Sequence, residues 1–332
     1  MSSQSDRDIF RRNNPHLSER MADEAWRRGG ALPRIELDDG RELTWKDIEA
    51  VTGGLLGKVT MPCPYCGPDK PWSQRFQIDR KSYATAAYHC FYCGHGGQVH
   101  AEGPIDPAKE AAARKAAAIL KRERQAERSA AAIRWWDEAL SITKIITVQK
   151  YFAARAISEL PPNIDEVFRW HPDCPFDGSK RGVLLALFRD AISGEPRAIH
   201  RTWIRDPRRG LATRMSLGPI AGAAIQLWPI SGDRLAICEG IENALSVASY
   251  SYEGEPTKPV WSATVANNLG ALPVIPGINR LFIFADQGLA GETQANVMAA
   301  RWRSAGREVR VIYPKREGED WNDIAKRKLK NA

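Results

Sequence analysis

The stretch "RLFIFADQGLAGETQANVMAARWRSAG", residues 280–306, decides how the last third of the chain is read. Arg280 to Ala285 is mostly apolar and too short for a helix, so it predicts a buried strand. Asp286 stands where that strand ends, Gly288 and Gly291 follow it, and the segment from Glu292 has the spacing of an amphipathic helix that stops at Gly306. The pattern continues outward on both sides. Upstream, "RLAIC" (234–238) reads as a strand, "IENALSVASY" (241–250) as a helix, and "PVWSATV" (259–265) as a strand followed by a loop and a short helix. Downstream, "EVRVIYP" (308–314) reads as a strand and "DWNDIAKRKLK" (320–330) as a closing helix. Such alternation predicts a parallel α/β sheet covered by helices.

Acidic residues fall at the ends of these strands. Glu239 ends one strand and Gly240 opens the turn after it; Asp286 ends another. Ligands of open α/β sheets bind outside the carboxyl ends of the strands, so both acids are expected to face one crevice. "EGEDWND" adds Asp320 and Asp323 after the last strand. Hard oxygen donors gathered in this way suit Mg²⁺ or Mn²⁺. Taken singly, each acid also has a plainer reading as a helix cap, above all Asp320 before "WNDIAKR".

The 332-residue chain is long enough for several domains and has a formal charge of +8, which favours a polyanionic partner. No apolar run reaches the length of a membrane span, and the start, "MSSQSDRDIFRRNNPH", lacks an apolar signal core, so a cytoplasmic location is expected. Residues 1–60 form a charged N-terminal segment with a helical stretch around Ser18–Arg28. "GGLLGKVT" at 53–60 misses the phosphate-loop pattern by one residue, with Val59 in place of Ser or Thr, and reads as an ordinary turn. Residues 61–103 form a cysteine module. Cys63 and Cys66 make one knuckle and Cys90 and Cys93 another, with 23 residues between the pairs. Four sulfurs suit tetrahedral Zn²⁺, and the gap, slightly long for a zinc ribbon, accommodates a β-hairpin. His89, His95 and His100 are alternative ligands. The zinc either only folds the module or also organises a surface for single-stranded nucleic acid, where Lys70, Arg75, Arg80 and Lys81 alternate with Trp72, Phe76 and Tyr83. Residues 104–160 are a helical linker rich in Ala, Lys, Arg and Glu, a largely solvated helix whose Trp135 and Trp136 dock onto the next domain. In a basic α+β subdomain, 161–232, "RGVLLALFRD" and "PRAIHRTWIR" are two strands joined by "AISGE".

"CEGIENALS", "FADQGLAG" and "EDWND" resemble the motifs of the Toprim fold, found in DnaG-like primases, topoisomerases and some nucleases. The cysteine module resembles the zinc-binding domain of DnaG-like primases, with Cys66 where that family usually has histidine. "RGVLLALFRDAISGEPRAIHRTW" is similar to the basic subdomain that precedes Toprim there, Arg181 and Arg201 standing at its basic positions and "TRMSLGP" resembling the next basic segment. The order of zinc module, basic subdomain and Toprim resembles compact proteins of phages, plasmids and other mobile elements. The resemblance implies a DNA primase, which makes short RNA primers on single-stranded DNA from NTPs. Glu239 would then position metal or the 3′-hydroxyl. Asp286, Asp320 and Asp323 would hold Mg²⁺ carrying the triphosphate. Arg181, Arg201, Arg205, Arg208, Arg209 and Arg214, with Lys70 and Arg75, would bind template or NTP. The chain has no matching helicase loop, which implies a separate replicative helicase. One departure matters: the family's second aspartate is Gly288 here. The alternatives are a non-catalytic DNA-binding Toprim protein of a mobile element and a Toprim nuclease.

Overall fold

A computed structural model describes residues 35, 37, 42–52, 56–66, 76–101 and 107–330. The helix expected near Ser18–Arg28, together with Lys70, Trp72 and Arg75, lies outside the described residues. The chain divides into two compact units, 1–123 and 124–332.

In the first unit, helix α1 (Trp45–Thr52) precedes four antiparallel strands, β1 (Gly57–Met61), β2 (Phe76–Arg80), β3 (Thr85–Cys90) and β4 (Gly96–His100), paired in that order. Thr44 and Asp47 start the helix reciprocally: the Thr44 amide donates to Asp47 Oδ2 (2.8 Å) and the Asp47 amide to Thr44 Oγ1 (3.4 Å). Alternation along β2 and β3 turns Phe76, Ile78, Ala86 and Tyr88 inward, against Ile48 and Val51 of the helix. Two expectations change here. The stretch 53–60, read as a turn, is strand from Gly57 onward, because Val59 and Met61 alternate into the core and pair with β2. The cysteine module therefore takes its first strand and its covering helix from residues before 61.

The division between units falls within the long helix α2 (Pro107–Asp137). Most of its described side chains are exposed until Ala132 and Trp136, which dock on the sheet of the second unit. Helices α3 (Ile146–Ala154) and α4 (Ile164–Val167) lead into β5 (Phe168–Phe176), β6 (Ser179–Asp190), β7 (Pro196–Asp206), β8 (Leu211–Leu217) and β9 (Ala223–Ile225). The alternating part follows: β10 (Arg234–Cys238), α5 (Ile241–Val247), a small ribbon β11 (Ser251–Tyr252) and β12 (Glu255–Pro256), β13 (Val260–Ser262), α6 (Ala266–Ala271), β14 (Arg280–Phe284), α7 (Leu289–Ser304), β15 (Glu308–Ile312) and α8 (Trp321–Lys330).

The two parts, read from sequence as separate subdomains, share one nine-stranded sheet. Its order is β15-β14-β10-β13-β9-β6-β7-β8, with β5 paired to residues 179–186 of β6, on the edge whose far end, 188–190, pairs with β9. β15, β14, β10 and β13 are parallel, whereas the rest is antiparallel. The change of direction occurs at one residue of β9: Ile225 pairs with both Phe188 of β6 and Ser262 of β13. Side chains across the gap reinforce the joint, with Trp261 Nε1 donating to the Trp228 carbonyl and Asn268 Nδ2 to that of Ala223, both at 2.9 Å. Even positions of β10 pack with α5 and α3 on one face, and odd positions with α6 and α7 on the other. The chain leaves β10 for β13 on one side and then returns to β14 on the other. The carboxyl ends of β10 and β14 thus flank a topological switch point, the usual place for a ligand in an open α/β sheet.

Candidate active site

The two cysteine knuckles of the first unit converge as their spacing predicts. Cys63, Cys66, Cys90 and Cys93 form a cluster able to hold a metal ion. The Cys63–Cys93 and Cys66–Cys90 sulfurs are each 3.9 Å apart. Four sulfurs at tetrahedral Zn–S distance lie about 3.8 Å from one another, so the donors fit zinc. The histidines do not compete: His95 packs 3.7 Å from the Tyr65 ring, and His89 edges against Phe91. Burial raises the Cys63 and Cys66 thiols. Burial also opposes ionisation of Cys90, yet the amides of Cys93 and Tyr92 outweigh it and bring that thiol down to about 7. Part of the nucleic-acid surface read from sequence is core instead. Phe76 is fully buried, and Arg80 is sealed between Trp45 and Tyr83 with Nη1 donating to Thr52 Oγ1 at 3.1 Å. Lys81 remains exposed.

In the second unit, Asp286 and Asp320 line a cleft at the switch point, together with Arg155, His200, Arg214, Gly240, Glu242, Asn243 and Thr264. Glu239 follows the last residue of β10, and Asp286 lies two beyond the paired end of β14. A Cβ built on Gly291 would fall 3.7 Å from Glu239 Oε2 and only 2.6 Å from the Asp286 carbonyl, so the first turn of α7 is glycine because it passes against both acids. Burial and the neighbouring Glu239 and Asp320 charges push the Asp286 carboxyl up to about 7. Burial also raises Glu239, against the pull of the Ala266 amide. Carboxylates that resist ionising together are poised to take up a cation. Their oxygens are more widely spread than the four sulfurs, which alone among the described residues close to within 4.8 Å.

Residues 234–331 match the Toprim domain family. The C-terminal region is a Toprim domain. Residues 126–227 match a second family, described as a domain of unknown function (DUF7146). No curated protein matches the chain. Among solved structures, the Aquifex aeolicus primase (zinc-binding and RNA polymerase domains) is similar over the whole chain and 85% of its own, at 16% identity and TM-score 0.40. The primase fragment of the bacteriophage T7 primase-helicase protein aligns with 82% of this chain and 96% of its own, at 12% identity and TM-score 0.36.

The Toprim acids are held by neighbours that sequence reading did not single out. Asn243 Nδ2 donates to Asp286 Oδ1 at 2.8 Å, and its own Oδ1 accepts the Asn322 amide at 3.1 Å. Asn322 Nδ2 in turn donates to the Arg155 carbonyl (2.6 Å) and Ser246 Oγ (2.9 Å). Gln287 ties the loop after β14 to the loop before α8, donating to the Pro314 carbonyl at 2.9 Å and accepting the Gly318 amide at 3.0 Å. Asp320 has two tasks: it lines the cleft, and its Oδ1 caps α8 by accepting the Asp323 amide at 2.7 Å. Asp323 is engaged elsewhere, with Oδ1 on Lys326 (2.8 Å) and Oδ2 facing the Asp320 amide (3.5 Å), and it does not line the cleft. Glu292 faces the Gly288 amide at the start of α7.

The arginines separate by sheet face. Arg214 on β8 reaches the cleft, where its Nη2 donates to Glu242 Oε1 (2.8 Å) and Tyr151 Oη (3.0 Å). Burial raises the Glu242 carboxyl, but Arg214 and the Tyr151 hydroxyl overcome that and hold it below its ordinary value. His200 beside them is buried and brought down to about 4, hence neutral. Arg181 and Arg201 occupy the alternate strand positions and face away from the cleft. Arg181 stacks on Trp203 at 3.9 Å, and Arg201, 7% exposed, donates to the carbonyls of Pro175 and Ser216. The structure does not bring these two to the acids. Arg205, Arg208 and Arg209 are exposed around the β7–β8 turn, where Asp206 Oδ1 accepts the amides of Arg208 and Arg209. Arg155, from the C-terminal end of α3, lines the cleft and donates from Nε to the carbonyl of Gly210 in that turn, at 3.0 Å.

Proposed function

We propose that the chain is a DnaG-type primase that joins ribonucleotides on a single-stranded DNA template by metal-dependent nucleotidyl transfer. The observation that carries this reading is the cleft itself: beside the carboxyl ends of the parallel Toprim strands, Asp286 and Asp320 line the same cavity as Arg155 and Arg214. The acids suit a divalent cation, the arginines the negative oxygens of a triphosphate. A Mg²⁺ or Mn²⁺ ion held there would neutralise triphosphate charge and lower the pKa of a 3′-hydroxyl. Asp286 and Asp320 are the cation ligands, and Glu239 beside them orients the reacting hydroxyl. Arg214, fixed by Glu242, and Arg155, fixed by Gly210 and Asn322, bind phosphate. Arg205, Arg208 and Arg209 guide the template strand, the zinc module contributes to template binding, and a separate helicase opens the duplex.

The test is incorporation of labelled NTPs on single-stranded DNA with Mg²⁺ or Mn²⁺, for wild type and Asp286→Ala. Primer synthesis by wild type that disappears in the variant is the expected result. Synthesis that survives Asp286→Ala contradicts the site. Gly288, which offers no carboxylate where the resemblance leads one to expect it, favours a second reading: a non-catalytic DNA-binding Toprim protein. DNA binding without synthesis, even with a helicase supplied, would select it, and Mg²⁺-dependent degradation of labelled DNA would point to a nuclease.

A further inference from the structure

Each of the three Toprim acids commits part of its carboxylate to an N–H of the chain. Asp286 Oδ1 accepts Asn243 Nδ2 at 2.8 Å. Asp320 Oδ1 accepts the Asp323 amide at 2.7 Å. The Ala266 amide acts on the Glu239 carboxylate. Two of these donors are main chain and come with the fold. The third is a side chain, and only there does the choice of residue decide whether a donor is present.

Asn243 is not at liberty to turn over. It lies on α5, is 5% exposed and lines the cleft. Its Oδ1 accepts the Asn322 amide at 3.1 Å, one of the N–H groups at the start of α8 that no carbonyl of that helix can reach. A carboxamide whose oxygen is committed to a backbone donor presents its NH₂ on the other side, and that side meets Asp286. Asn322 is itself fully buried, with Nδ2 donating to the Arg155 carbonyl (2.6 Å) and Ser246 Oγ (2.9 Å). The donor to Asp286 is thus set by the packing of α5 on α8.

What remains for a cation is small in number. Asp286 Oδ2 and Asp320 Oδ2 make no hydrogen bond among the described residues, and Gly288 contributes no further carboxylate. The oxygens of the acids do not close to within 4.8 Å as a set, which leaves room for water between them. Ca²⁺ takes roughly six to eight oxygens and often grips a carboxylate by both, whereas Mg²⁺ keeps several waters and uses one or two carboxylates. We propose that Asn243 sets the cation preference of the Toprim site: by holding Asp286 Oδ1 it limits that acid to one ligand oxygen and so favours Mg²⁺ over Ca²⁺. This rests on the reading of the acids as the cation site of a primase. Asn243 is a positioning residue, since it touches the acid and not the cation.

The experiment follows displacement of Mn²⁺ from the full chain by Mg²⁺ and by Ca²⁺, with unbound Mn²⁺ read by electron paramagnetic resonance, alongside zinc content and melting temperature. The variants are Asn243→Ala and Asn243→Asp, with Asp286→Ala to identify the site. Wild type should prefer Mg²⁺. Alanine removes the donor and releases Asp286 Oδ1, and the ratio of Mg²⁺ to Ca²⁺ affinity should fall by about tenfold. Aspartate also removes the donor but keeps an acceptor for the Asn322 amide; its charge should tighten both cations while the ratio falls as with alanine. A residue that only held the fold together would weaken both cations alike and leave the ratio unmoved. Alanine with the wild-type ratio overturns the inference and leaves the primase reading standing, as does a wild type that prefers Ca²⁺. Should alanine not fold, aspartate with the wild-type ratio does the same. Wild type that binds no Mn²⁺, or Asp286→Ala that binds it as wild type does, overturns both.

Discussion

Gly288 has φ 115° and ψ 155°, a region that in practice belongs to glycine, and a Cβ there would meet nothing within 4 Å. The missing carboxylate is therefore a matter of backbone shape, not of crowding. Gly288→Asp should destabilise the protein by about 1–3 kcal/mol in denaturant unfolding, and an unchanged midpoint would contradict the strain. The neighbouring Asp286 carries a pH signature. Its folded pKa, about 7, lies above its unfolded value, so the cation-free folded state binds the extra proton between the two. Its stabilising effect is full below the unfolded value and is lost as pH rises through about 7. Cation-free Asp286→Asn should thus gain on wild type from pH 5 to pH 8, by on the order of 1 kcal/mol, and saturating Mg²⁺ should reverse the order at pH 8. A difference that is flat with pH would refute it. At this scale the sequence was legible where position along one strand sufficed, as for Glu239 and Asp286. It was not legible where pairing decides. Arg201 and Arg214 both read as basic residues on strands, and only the β7–β8 register sends one to the core and the other to the cleft. Arg155 stood in what read as a linker, and nothing local distinguishes Asn243.

The elements divide in the same way. β10, β14 and β15 and the helices between them were legible because each carries its own period and its own stop. β5, β8 and β9 were not. "FRWHPDCPF" interrupts its pattern with two prolines and is bulged between His171 and Cys174, "LATRMSL" is mostly polar, and β9 is three residues long. These become strands because a neighbour supplies the partner, a tertiary effect that propensity does not record. In the first unit the knuckles were plain from spacing, whereas β1 looked like a turn because its two outermost signals, Gly57 and Lys58, are poor strand formers. Cys90→Ser together with Cys93→Ser should release zinc, seen as loss of one equivalent by metal analysis. Sheet and helix between 42 and 101 should then become sensitive to protease while 124–332 resists, because a structural zinc contributes directly to folding. Zinc retained by that double variant would refute the ligand set.

At the scale of the whole molecule the formal charge of +8 sets the long-range behaviour. Affinity for single-stranded DNA should fall steeply with salt as neutralised phosphates release counterions. Replacing Arg208 and Arg209 with alanine should make the slope of log K against log salt shallower by about 1 to 1.5, read by fluorescence anisotropy. An unaltered slope would remove the β7–β8 turn from the interface. Among the described residues no helix is long and apolar enough to cross a membrane. The shared sheet has a further consequence, for how such proteins can be recombined. One core joins Tyr151 and Phe152 of α3 and Ile225 of β9 to Ala236, Leu245 and Phe284 of the Toprim part. A cut near residue 232 would strip that core from one side and leave β13 without the strand that covers it. The excised piece would be prone to pair edge to edge with copies of itself. The Toprim part is accordingly not a cassette that can be moved alone into another chain: its smallest transferable form takes α3 and β5–β9 with it, and chimaeras joined upstream of α3 should stay monodisperse where those joined at 232 precipitate.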